Sequence, residues 1–465
     1  MFSPNEAESA QRPDSGAGRA PHKFRAYTAA HLDGLLQRAG LGPDERLAAR
    51  AVATVLPFRT NPYVLEELID WDAAPDDPIY RLVFPQPDML PAKDVAHLAG
   101  LLRSGAPKRE LNAAANRVRA GLNPHPAGQM ELNMPSFGDG TLPGVQHKYD
   151  ETVLFFPKQG QTCHAYCTYC FRWAQFVGDP DLKMAGQEVD GLKAYLQSHP
   201  QVTSVLFTGG DPMIMSAAVL SRYVEPLLEV EQLESIRIGT KSLAYWPDTF
   251  VGDNDADEVL RLFEKVTAAG KSLAFMAHFT HPRELEPALV STAVRRIQDT
   301  GAVIRTQAPL IRTINDEADV WQAMWRTQTR MGMVPYYMFV ERDTGPQDYF
   351  AVPLARAYEI YQAAYRNVSG LARTVRGPSM SATPGKVCVD GVLELAGEKV
   401  FALRMLQARN SSLVGKPFFA RYDPNAVWLD DLKPAFADRF PFDPPMEQPL
   451  ELPNAAEELK LLETV

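Results

Sequence analysis

Three of the four cysteines in this 465-residue chain stand together, in the run Cys163-His-Ala-Tyr-Cys167-Thr-Tyr-Cys170-Phe-Arg-Trp. Cysteine thiolates are the usual ligands of iron–sulfur clusters, and a complete protein cage around a [4Fe–4S] cube uses four of them. Three thiolates hold three irons and leave the fourth open to a small molecule. A partial zinc site and a simple thiol pair are the alternatives. Closed structural zinc sites want four N or S ligands, and His164, inside the motif, is poorly placed to be the fourth. The remaining cysteine, Cys388, reads as a buried, inert thiol.

A loop of this kind needs a scaffold that presents it. Apolar runs at 153–156, 202–208, 235–239, 273–278, 303–307 and 333–339 read as strands. Helical patterns alternate with them near 189–198, 217–229, 256–269, 288–299 and 317–331. Strands alternating with helices of this length indicate βαβ units and a parallel sheet. Six such strands, the first leading into the cysteine loop, predict a partial (β/α)6 barrel. Barrel chemistry gathers at the C-terminal strand ends. Gly209 and Gly210 follow a buried strand, where a missing side chain lets a ligand approach the backbone; Asp211 beside them could equally be a plain helix N-cap. Arg237, His278 and Gln307 are expected at or near the ends of successive strands, aimed at one pocket. His281, before Pro282, reads equally well as a satisfied structural residue.

Around the barrel, residues 1–22 are polar and rich in Pro, Gly, Ser and Ala, a composition expected to stay disordered. Residues 23–145 form an N-terminal helical region with amphipathic helices at 29–39 and 92–103, and 146–385 form the barrel. Residues 386–465 form an irregular C-terminal extension, with a hairpin around Ala396-Gly397 and a short acidic helical stretch at the end. The net charge of −10 comes without a basic stripe, which argues against nucleic acid as a partner. No apolar run reaches the ~20 residues of a membrane span, and no secretory signal is evident. Four cysteines make no disulfide framework, and a reducing cytoplasm suits an oxygen-sensitive cluster.

Joined to what surrounds it, the cysteine loop resembles that of the lysine 2,3-aminomutase family of radical S-adenosylmethionine (SAM) enzymes. The matching segments are Asn61-Pro-Tyr63, Asp76-Asp-Pro-Ile-Tyr-Arg81, Leu142-Pro-Gly-Val-Gln-His-Lys-Tyr149 and Thr208-Gly-Gly-Asp-Pro-Met213. Arg237-Ile-Gly-Thr240, His278-Phe-Thr-His281-Pro282, the stretch 307–316 and Pro335-Tyr-Tyr337 complete the series in family order. The resemblance implies a [4Fe–4S] cluster on Cys163, Cys167 and Cys170, with SAM chelating the open iron. It places Gly209, Gly210 and Asp211 at the SAM amino group, and Arg237, His278 and Gln307 around SAM and substrate. One-electron cleavage of SAM then yields a 5′-deoxyadenosyl radical that abstracts hydrogen from an amino acid held on pyridoxal 5′-phosphate (PLP). Arg172 corresponds to the arginine that grips the substrate α-carboxylate, a task suited to a guanidinium. The implied partners are a small-molecule substrate and an electron donor such as flavodoxin or ferredoxin, with room for a homo-oligomer.

Two departures from the family pattern concern the substrate end. The Schiff-base lysine falls on Lys386, but the family's Gly-rich loop is replaced by Pro378-Ser-Met-Ser-Ala-Thr-Pro-Gly-Lys386. Of the basic pair that helps hold the PLP phosphate, Lys148 fills one position and Thr152 stands at the other. The two aspartates that hold lysine's far ammonium fall on Arg342 and near Arg376. If both face the pocket, attraction to lysine becomes repulsion and an anionic far end is favoured. Otherwise Asp343 takes the aspartate's place by a one-residue slip and Arg376 pairs locally. With a single cysteine outside the cluster motif, a cysteine-based C-terminal zinc site cannot be built. The reading is an aminomutase with a non-lysine preference. Its rivals are a PLP-independent relative catalysing epimerisation, dehydrogenation or cleavage, and a non-catalytic metal- or partner-binding protein.

Overall fold

The computed structural model describes residues 22–137, 140–178, 184–186 and 189–443. The disordered N-terminus expected over 1–22, His22 excepted, and the acidic helical tail lie outside them.

One eleven-stranded sheet organises the molecule. A hairpin of β1 (Val145–Tyr149) and β2 (Thr152–Phe155) begins it. Then come β3 (Ser204–Phe207), β4 (Ser235–Thr240), β5 (Ser272–His278), β6 (Val303–Leu310), β7 (Val334–Val340) and β8 (Arg376–Ser381). From β2 to β8 every neighbouring pair is parallel and follows chain order. Side chains of β2 to β9 line one cavity, so the sheet curves around it as a partial barrel. All six expected strands are present. The additional parallel strand is β8, where a loop was expected. Three antiparallel strands continue the same sheet: β9 (Gly385–Leu395), β10 (Glu398–Ala408) and β11 (Pro417–Arg421). The segment beyond 385 is therefore more regular than its prolines suggest. The β9–β10 turn is the expected Ala396-Gly397, both at positive φ (51° and 81°), the backbone that a two-residue hairpin loop demands.

The crossover helices form because their apolar residues recur at helical spacing. Ala256–Ala268 buries Val259, Leu260, Phe263 and Val266 against the sheet, as an amphipathic stripe should. Each such side chain stabilises by roughly 1.5–3 kcal/mol when fully buried. Strands such as β4 and β6 alternate, with Ile236, Ile238 and Ile304 buried on one face and Arg237, Gly239 and Gln307 lining the cavity on the other. A second apolar cluster, including Met380, Val389, Phe401, Leu403 and Trp428, lies under the C-terminal strands. Among the described residues no helix is long and apolar enough to cross a membrane.

The N-terminal helical region has a direct consequence for the cysteine loop. Its backbone carbonyls take up the loop's amides: Tyr166 N donates to Arg59 O and Thr168 N to Leu82 O, both at 2.9 Å. Asn61 Nδ2 donates to the carbonyls of His164 and Tyr245. A loop with no ladder of its own is thus fixed by borrowed hydrogen bonds.

Candidate active site

The cysteine loop follows the C-terminal end of β2 and roofs a cavity of about 510 Å³. Cys163, Cys167 and Cys170 line it as free thiols. Burial pushes all three thiols up, and repulsion from neighbouring cysteines adds to it at Cys163 and at Cys170, which rises to about 12. A bound metal reverses that preference, since a coordinating thiol is deprotonated outright. Among the described residues no group of three or more His, Cys, Asp or Glu converges to hold a single metal ion. A cube places no such demand, because each thiolate binds its own iron. His164 is no ligand candidate: it is buried, stacked on Trp246 and bonded through Nδ1 to Ser242 Oγ at 2.9 Å.

Gly209 and Gly210 are required here by chain packing. Gly209 has φ of 128°, and a Cβ on it would sit 2.2 Å from Gln161 Nε2. A Cβ on Gly210 would meet the Thr162 backbone at 2.5 Å. The start of the cysteine loop fills the space on their Cβ side, while both glycines still line the cavity. Gly210→Ala should therefore displace that loop. We expect it to lower stability by about 1–3 kcal/mol, as overpacking does, and to reduce iron loading; a denaturant melt with iron analysis checks both, and full loading at wild-type stability would contradict the packing. Asp211 is the N-cap of the short helix Pro212–Ile214. Its Oδ1 accepts from Met213 N and Thr240 Oγ1, and its Oδ2 from Lys241 N and Ser242 Oγ. Two donors on each oxygen exhaust the carboxylate, so Asp211 shapes the site through the chain.

Further into the cavity the walls are cationic. Arg172 is buried between the rings of Phe156 and Phe171, its Nη1 without a partner. Arg342 lies over the same Phe171 ring at 5.0 Å, with Nε unpartnered. Lys386 Nζ sits 4.2 Å from the Tyr337 ring centroid, and burial lowers its amine to about 7. Lys148 is lowered to about 6, by burial first and by neighbouring cations second; its Nζ donates to Ala382 O between β8 and β9. Arg376 lies over Tyr336 and donates to Tyr337 Oη at 3.2 Å. Arg237 occupies the middle of β4, not its end, and donates to Thr152 Oγ1 at 3.3 Å. It points away from the cysteine loop, toward the position where the second phosphate-binding base was missing. Among the described residues none of these six cations forms an ion pair. Glu341 lines the same wall, but burial raises its carboxyl well above the usual range and favours its neutral form. Arg172 is buried, Arg376 is exposed and the other four are partly buried, and an unpaired buried cation such as Arg172 is costly unless an anion meets it.

Comparison with known proteins decides the family. A protein named "Putative L-lysine 2,3-aminomutase" from Aquifex aeolicus is 32% identical over 389 residues, 83% of this chain and 91% of its own length. The chain belongs to the lysine 2,3-aminomutase family of radical SAM enzymes. L-lysine 2,3-aminomutase of Clostridium subterminale is 26% identical over 232 residues, so this chain spans about half (53%) of that relative. Among solved structures, a radical SAM methyltransferase from Sphaerobacter thermophilus aligns over 75% of this chain and 93% of its own, with 14% identity and a TM-score of 0.35. No family model matches the chain.

For an enzyme of this family the residues fit its cofactors. Three thiols stand at one end of the cavity, and a lysine with a readily neutralised amine, flanked by cations, at the other. His278 and Gln307 lie between, joined by a 2.7 Å contact between Nε2 atoms. Of the site residues expected from the sequence, all but Asp343 line the one cavity. Asp343 turns out to Asn123, whose Nδ2 donates to its backbone carbonyl and its carboxylate. The one-residue slip is therefore not adopted, and Arg342 is the residue that faces in. His281 is structural, its Nδ1 accepting from Arg283 N. Cys388 is buried. Sequence reasoning missed Lys241 and Glu341 in the lining. Their positions just past the ends of β4 and β7 were the available signal.

Proposed function

We propose that this aminomutase-family enzyme holds PLP on Lys386 and acts on an amino acid whose far end is anionic. The observation that carries the reading is Arg342: it lies in the cavity with no acid paired to it, while Asp343 turns away to Asn123. Bound together, cluster and SAM supply the 5′-deoxyadenosyl radical that abstracts hydrogen, and PLP activates the amino group. The chain's own part is placement. Arg172 receives the α-carboxylate, and both it and Arg342 lie against the Phe171 ring. A short dicarboxylic amino acid would satisfy both guanidinium groups, whereas lysine would set an ammonium against Arg342. Apolar walls at Phe171, Met276 and Phe339 would keep water from the radical.

Arg342→Asp tests the charge preference. Breaking a buried charge pair costs about 2–5 kcal/mol, so kcat/KM for a glutamate-type substrate should fall by about 100-fold while lysine gains. Competition between the two amino acids in anaerobic turnover measures this, and an unchanged preference would sink the acidic-substrate reading. A second reading, in which a carboxylated or phosphorylated substrate is used without PLP, draws on strand β8. It stands where the family's Gly-rich loop would cradle a phosphate, and Gly385 is spent on packing, its Cβ position lying 2.2 Å from Gln407 O.

A further inference from the structure

Lys241 follows the end of β4 and lines the cavity beside the cysteine loop, its Nζ held by partners of its own. Its Nζ is 2.7 Å from Glu284 Oε1 and donates to Thr280 Oγ1 at 3.0 Å. The same Nζ lies 4.5 Å from the Tyr245 ring centroid. Tyr245 Oη is 3.9 Å from Cys167 Sγ. Thr280 is also joined to the cysteine loop, its Oγ1 lying 3.0 Å from Tyr169 Oη. Glu284 is fully buried and takes the amides of Thr280 and His281 as well. A buried ion pair is weak ground for stability, and this one is built against a cluster ligand.

We propose that Lys241, clamped by Glu284, is a positioning residue that sets the reduction potential of the cluster through Tyr245 and Cys167. A cation over a phenol ring draws electron density from it, which makes the hydroxyl a stronger donor to a thiolate. Cluster potentials respond to net charge and to hydrogen bonds on sulfur, and both effects here favour the reduced cluster. The pair thus sets two opposite charges beside the cysteine loop, the cation against the Tyr245 ring and the carboxylate against the cation.

The test is an EPR-monitored redox titration of the reconstituted holoenzyme. Lys241→Met should shift the midpoint to a more negative potential, and Glu284→Gln, which leaves the cation uncompensated, to a less negative one. Lys241→Arg should keep the wild-type value. A structural role would move both neutral variants the same way or neither. Either result overturns the proposal. If Lys241→Met does not hold a cluster, Glu284→Gln alone decides, and an unmoved or more negative midpoint overturns it. Wild-type protein that binds no cluster would refute the cluster assignment itself, an outcome separate from a cluster indifferent to the pair.

Discussion

Replacing Cys167 by alanine is expected to abolish the iron–sulfur chromophore and all reductive cleavage of SAM, and Cys163→Ala and Cys170→Ala should do the same. With three thiols there is no spare ligand. Cys388 cannot substitute: it lies in β9, paired in register with Ser379 and Arg404 on the neighbouring strands. Cys388→Ala should accordingly keep both properties. Anaerobic reconstitution followed by iron and sulfide analysis gives the first readout, with about four of each per wild-type chain. The yield of 5′-deoxyadenosine from SAM under dithionite gives the second. Retained cluster in Cys167→Ala, or loss in Cys388→Ala alone, would sink the assignment.

The second large effect concerns Lys386. Lys386→Ala should remove all PLP that borohydride can trap on the wild-type protein and should stop turnover, while SAM cleavage at the cluster continues. The reaction needs a neutral amine, and burial disfavours the charged form. Trapping should therefore rise as pH climbs through about 7 and level off above it. The sign for stability follows from linkage. An unfolded lysine keeps its proton to about 10.4, so burying this one carries a cost that is full below pH 7 and fades as pH rises beyond it. Wild-type protein that retains no PLP yet cleaves SAM would reject this prediction and favour the PLP-free reading.

The barrel was legible because short strand patterns, continuous in β5 and alternating in β4, are separated by helices that repeat at 3.6 residues. β8 was not, because Gly377, Pro378 and two serines read as a loop. The glycine is needed for a reason only the fold reveals: a Cβ there would lie 2.4 Å from Met338 O on β7. The same holds at Gly209 and Gly210, whose neighbours come from the cysteine loop. Past the end of β7, counting along the chain could not say whether Arg342 or Asp343 faces inward, because the chain has left the strand and its alternation no longer applies. Lys241 sits in a loop and Glu284 in the short helix Pro282–Leu285, and neither leaves a periodic trace. Family motifs located the cavity's residues; the side chains that hold those residues in place had no such signature.

The chain-ordered sheet carries a consequence for how such an enzyme can change its task. The cysteine loop and Gly209 to Asp211 follow β2 and β3, so the cluster end of the cavity is encoded early. Arg342, Arg376 and Lys386 come with β7, β8 and β9, so the residues proposed to hold PLP and the substrate's far end are encoded late. Ignition and aim are thus written in different stretches of one sheet. A lineage could retarget the second half residue by residue while the first, locked by glycine contacts and borrowed hydrogen bonds, stays as it is.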